Sequence, residues 1–93
     1  HESDLLVAES IRRGLFDGLG PAATAALMSV FVYEHRSPDP PPLPWFPNAD
    51  VRRRWHGIAA ISAELQSIEE RDGLAVHRPP DPTFLAVAYA WAA

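Results

Sequence analysis

Residues 83–93 read Thr83-Phe84-Leu85-Ala86-Val87-Ala88-Tyr89-Ala90-Trp91-Ala92-Ala93, an almost unbroken apolar run. Asp81-Pro82 ahead of it is a helix-start signal: an Asp side chain accepts from free N–H groups, and Pro suits the first helical position. No stop signal follows. A helix that is apolar on every side must be covered by other elements. The run therefore predicts a helix over 82–93 that leans on something outside itself. The whole chain reads as part of a larger domain, and its start at His1 instead of Met fits that expectation.

Three more helices are readable upstream. Ser3 is a good N-cap and Asp4 suits the first turn, where the helix dipole favours negative charge. Leu5, Ala8, Ile11 and Leu15 recur at helical spacing, which predicts a helix near 4–17. Glu9 and Arg13 can pair at i,i+4 on its outer face. Gly14 falls inside this helix, so either a neighbour approaches closely there or the helix ends early. Asp17-Gly18-Leu19-Gly20 is a turn, and Pro21 opens a second helix near 21–34. That helix is apolar in nearly every direction and reads as the buried centre. The short connection makes the first two helices antiparallel neighbours.

A Pro-rich crossing over 35–48 follows. Its prolines forbid helix and favour an extended path. Leu43, Trp45 and Phe46 are too apolar for a solvated linker and are expected to dock on the bundle. Asn48 caps a third helix near 49–72, with an apolar stripe of Val51, Trp55, Ile58, Ala59, Ser62, Leu65 and Ile68. Gly73 is the residue expected just past its end. The fold class is all-α: an antiparallel helical bundle fragment of about four helices, with the Pro-rich connection between helices two and three.

Composition narrows the function. The 93 residues allow one small domain. A net charge of −4 argues against a freestanding nucleic-acid binder. There is no Cys, hence no disulfide and no thiolate zinc site, and every basic residue is Arg. No stretch reaches the ~18–20 apolar residues of a membrane span, and no basic leader precedes the first helix, so a cytoplasmic location is expected.

Catalytic signatures are missing. The sequence has no G-x-x-x-x-G-K-[ST] loop and no G-x-G-x-x-G. His1, His35, His56 and His77 lack ligand spacing and read as solvent-exposed or loop residues. Glu69 and Glu70 diverge on a helix and read as a solvated face. Ser29 and Ser62 have no neighbouring base, so nucleophilic catalysis is unsupported. Three features have a binding reading. Arg52-Arg53-Arg54, the basic run, is the candidate nucleic-acid contact; consecutive positions fan over about 200° of a helix, so pairing with Asp50 is the competing expectation. The Pro38–Pro47 segment has P-x-x-P spacing and could enter an aromatic groove, or simply be an ordered crossing. Trp45, Trp55, Tyr89 and Trp91 could stack bases, or pack as core.

Taken together, the segments resemble a known family. Glu2-Ser3-Asp4-Leu5-Leu6, the helix Ala25-Ala26-Leu27-Met28-Ser29-Val30-Phe31-Val32-Tyr33-Glu34, and Pro82-Thr83-Phe84-Leu85-Ala86-Val87-Ala88-Tyr89-Ala90-Trp91 are similar to the DSHCT domain. That is the C-terminal helical domain of the Ski-type and Mtr-type superfamily-two DExH RNA helicases. The order of an "A-A-L-x-S-x-F-V-x-E" helix and a "V-x-Y-A-W" helix carries the match, and Ile58, Ala59, Ile61, Glu64 and Leu65 fit the family's long middle helix. The Arg-only, Pro-rich character resembles the bacterial HelY-type branch. Only the N-terminal half of the domain is covered.

The resemblance implies a non-catalytic segment of an ATP-dependent 3′-to-5′ RNA helicase (an ATP hydrolase), scaffolding the RecA-like core and the nucleic-acid channel. ATP and Mg would be bound in the parent's RecA-like domains, with no cofactor in this segment. Its partners would be that core, the remaining C-terminal half of the same domain, and RNA through the parent. The family's ratchet helix follows the "Y-A-W" helix, so no ratchet residue maps here. The alternative is a helical protein–protein interaction module using the Pro-rich loop or the apolar face of the last helix, around Phe84, Val87 and Trp91. With that uncovered apolar face, the fragment is expected to self-associate.

Overall fold

The computed structural model describes residues 4–32 and 45–93. It contains α1 (Asp4–Arg12), α2 (Pro21–Met28) continued by a 3-10 turn (Ser29–Phe31), α3 (Ala49–Arg71) and α4 (Leu85–Ala92). The expected all-α fragment of four helices is found. The Ser3 cap, Leu43 and the Pro-rich segment up to residue 44 lie outside the described residues.

α1 and α3 end where a glycine removes support, whereas α2, expected to run to 34, passes into the 3-10 turn at Ser29 and leaves helical geometry at Val32. α1 was expected to run to 17 but stops at Arg12, because Gly14 adopts φ 81°. The Gly14 N–H then bonds to the Ile11 carbonyl and the Leu15 N–H to the Ser10 carbonyl, the paired closure of a Schellman motif. α3 ends the same way: Gly73, at φ 71°, donates to Glu70 and Leu74 donates to Glu69. Asn48 caps the start of α3 as expected, its side chain accepting from the Val51 N–H at 2.9 Å. α4 begins at Leu85, three residues later than expected. The Asp81 side chain accepts from the N–H (2.9 Å) and hydroxyl (2.5 Å) of Thr83, closing a local turn in place of a helix cap, while its own N–H is held by the Val30 carbonyl at 2.9 Å.

The packing differs from the expected pairing of the first two helices. α1 lies mainly on α3, and α2 lies mainly on α4, with α2 also touching α3. The break at Gly14 is the cause. Residues 13–20 form a turn that inserts Leu15, Phe16 and Leu19 against the core, so α2 does not simply fold back along α1. Phe16 meets Phe31 with ring centroids 6.3 Å apart. Gly57, midway along α3, accommodates this turn: a Cβ there would lie 2.9 Å from a methyl of Leu15.

The core is Leu6, Ala26, Leu27, Val30, Phe31, Val51, Ile58, Ile61 and Leu85. α2 and α4 are both alanine-rich, which lets their axes approach closely. The stripe expected on α3 holds through Val51, Ile58 and Ser62, with Ile61 added and Ile68 left exposed at its end. Phe46 packs on the core as expected, whereas Trp45 does not and remains 54 % exposed. Among the described residues no helix is long and apolar enough to cross a membrane.

Candidate functional site

Three places in this fold have site-like geometry. The first is the start of α3. Its register sends the three consecutive arginines in different directions. Arg54 turns inward: its Nε donates to Asp50 Oδ2 at 2.9 Å and its NH1 donates to the Leu15 carbonyl at 3.0 Å. It therefore ties the turn after α1 to α3 and is committed to structure. Arg53 pairs with the other oxygen of Asp50 while remaining largely exposed. The Arg53 hydrogen bond, with support from Arg54, holds the Asp50 carboxyl below its ordinary pKa. Arg52 is exposed, and it makes no ion pair or side-chain hydrogen bond among the described residues. The expected pairing with Asp50 thus accounts for two of the three. Arg52 and Arg53 line one cleft with His56, and Arg52 lines an adjoining one with Trp45, Phe46 and Asn48. Phe46 lies beside both Trp55 and His56, at centroid distances of 6.5 and 6.4 Å.

The second place was not legible in the sequence. His77, on the connection between α3 and α4, is only 5 % exposed. Its Nε2 lies 2.9 Å from the Ser62 hydroxyl, its Nδ1 contacts the Glu69 carboxylate, and its carbonyl accepts from the Gln66 amide at 3.1 Å. A carboxylate only accepts, so Nδ1 carries a proton and donates to Glu69; in the neutral ring Nε2 accepts from Ser62. Three expectations are revised: His77 lies on a loop, as one reading had it, but is not solvent-exposed; Glu69 is not on a solvated face; and Ser62 does have a base beside it. The order Ser–His–carboxylate matches a nucleophilic triad in connectivity. It does not match in access, because Ser62 is 2 % exposed on the interior face of α3. A nucleophile must meet its substrate. The constellation instead clasps the 74–80 connection to α3 and satisfies each buried polar atom; no buried side-chain N or O is left without a partner among the described residues.

The third place is the outer face of α4. Leu85 is fully buried and Tyr89 packs on the core, but Val87 is 66 % and Trp91 86 % exposed. With Ser29, Val32, Phe84 and Ala88 they line an open, predominantly apolar groove of about 300 Å³. Trp91 is therefore a surface residue here, while Trp55 and Tyr89 follow the packing expectation. No described group of three or more His, Cys, Asp or Glu side chains converges as a metal ion would require.

The model of the DSHCT (NUC185) domain matches residues 1–93. The chain is 42% identical over 94 residues to a protein named "Probable helicase HelY" from Mycobacterium leprae, covering 98% of this chain and 10% of that protein. It is 37% identical over 93 residues to a protein of the same name from Mycobacterium tuberculosis, covering 97% of this chain and 10% of that protein. The chain thus spans about a tenth of the length of the curated relatives it matches. No solved structure matches it.

Proposed function

This chain belongs to the DSHCT domain family, and on that premise we propose that it is a non-catalytic helical segment of an ATP-dependent RNA helicase, scaffolding the RecA-like core and the channel for the unwound strand. The observation that carries this reading is the unfinished face of α4. Exposing Val87 and Trp91 side by side leaves apolar surface that a neighbouring element would cover at a gain of roughly 25 cal/mol per Å². The buried half of the same helix, through Leu85 and Tyr89, is anchored to α2 and the core, so the exposed half is presented rigidly. In this reading the cover is the remainder of the helical domain and the RecA-like core. ATP and its magnesium ion belong to that core; this segment has no phosphate loop and no lysine to hold them. Cytoplasmic RNA is the substrate of the parent.

The test is made in the intact helicase with Val87→Asp and Trp91→Asp together. Both positions are outside the core of this segment, so its own helices persist. Strand separation should fall at least tenfold while ATP binding is retained. Undiminished unwinding would overturn the scaffold reading.

A further inference from the structure

At the start of α3, Arg52 lies between two clefts, one shared with Trp45 and one with His56, in an arrangement that scaffolding does not use. Trp45 keeps 54 % of its surface in water although the adjacent Phe46 is packed beside Trp55 and His56. The backbone at this point is thus fixed by Phe46, and the neighbouring indole is displayed from an anchored position. Arg52 shares with Trp45 a cleft of about 380 Å³, and on its other side lies the cleft formed with Arg53 and His56. The nearby carboxylate, Asp50, is already engaged by Arg53 and Arg54. Among the described residues three guanidinium groups stand against one carboxylate here, which makes this spot locally basic in a chain of net charge −4.

We infer that this patch binds single-stranded nucleic acid, with a base stacked on the indole of Trp45 and an adjoining phosphate paired with the guanidinium of Arg52. A π surface beside an uncommitted cation is what a strand offering alternating bases and phosphates can use. An acidic peptide would satisfy Arg52 but leave the indole in water. The negative charge elsewhere on the chain confines a polyanion to this spot. His56 is exposed in the second cleft, beside Arg52 and Arg53. The inference rests on the helicase reading only for the choice among ligands. Its residues are distinct from the α4 face, so the two can fail separately.

The probe is a short fluorescein-labelled oligouridylate titrated into the 93-residue chain over a series of salt concentrations. Trp45→Ala should weaken binding about tenfold, the scale of one lost stacked base. Arg52→Gln should reduce the slope of log affinity against log salt by about 0.7, the signature of one lost phosphate contact to a single strand. Ile68→Ala, exposed near the far end of α3, should leave both unchanged. Neither Trp45 nor Arg52 is in the core, and far-UV circular dichroism checks that each variant is folded. Affinity and salt slope unaltered by both patch substitutions would overturn the inference. So would polyglutamate competing as well as the oligouridylate, or no binding of the oligouridylate even at low salt.

Discussion

Arg52, Arg53 and Arg54 carry identical chemistry, and the turn of α3 gives each a different task. Arg54 is the structural one, because the Leu15 carbonyl it satisfies belongs to a turn packed against the core. Arg54→Met should cost about 1–3 kcal/mol in urea unfolding, the penalty of leaving a part-buried acceptor unpaired. Arg52→Met should stay within about 0.5 kcal/mol of the parent chain, as an exposed substitution that breaks no contact. Glu9 gives a second prediction at this scale. The Arg12 hydrogen bond, followed by Arg12's charge and the Arg13 contacts, lowers its pKa from 4.5 to about 2. A carboxyl whose folded pKa is depressed stabilises the fold above its ordinary value and loses that contribution as the pH falls through the folded one. The urea midpoint should therefore drop between pH about 4.5 and about 2, and Glu9→Gln should flatten that part of the profile. Asp50 acts in the same direction.

Among the elements, the connection over 74–80 is held by side chains, since among the described residues it contains no helix or strand. Ser62, Glu69 and Gln66 lie along one side of α3 and all reach His77. Ser62→Ala and His77→Ala should each destabilise the chain by about 1–3 kcal/mol. Their double mutant should lose less than the two separate costs added together, with an interaction of about 0.5–3 kcal/mol. Amide exchange over 74–80 should quicken in both single variants. None of this could be read from the sequence, because Ser62 and His77 are 15 positions apart across a helix end and no periodicity links them. Helix ends, by contrast, were legible wherever one local residue decides them, as at Asn48 and Gly73. Gly14 was ambiguous. The signal that resolves it is a parallel: Arg12-Arg13-Gly14-Leu15 and Arg71-Asp72-Gly73-Leu74 place Gly and then Leu after a helical Arg, and both close with the same pair of backbone bonds. The pairing of α1 with α3 was hidden for the same reason, since it follows from where α1 stops.

At the level of the whole molecule, the sequence pattern predicted a helical assembly that does not cover its own last helix, and Val87 and Trp91 show that uncovered face. Tyr89 on the same helix is packed inward, so α4 is half core and half interface. The polar exception in the interior, the Ser62–His77–Glu69 clasp, ties the connection leading to α4 onto α3. Trp91 reports on that face directly. With Trp45 and Trp55 replaced by Phe, its fluorescence should be solvent-like in the 93-residue chain at low concentration. In the full-length protein of the proposed function it should shift to the blue and become protected from acrylamide quenching, as neighbouring elements bury it. A Trp91 equally exposed and equally quenched in both settings would contradict the account.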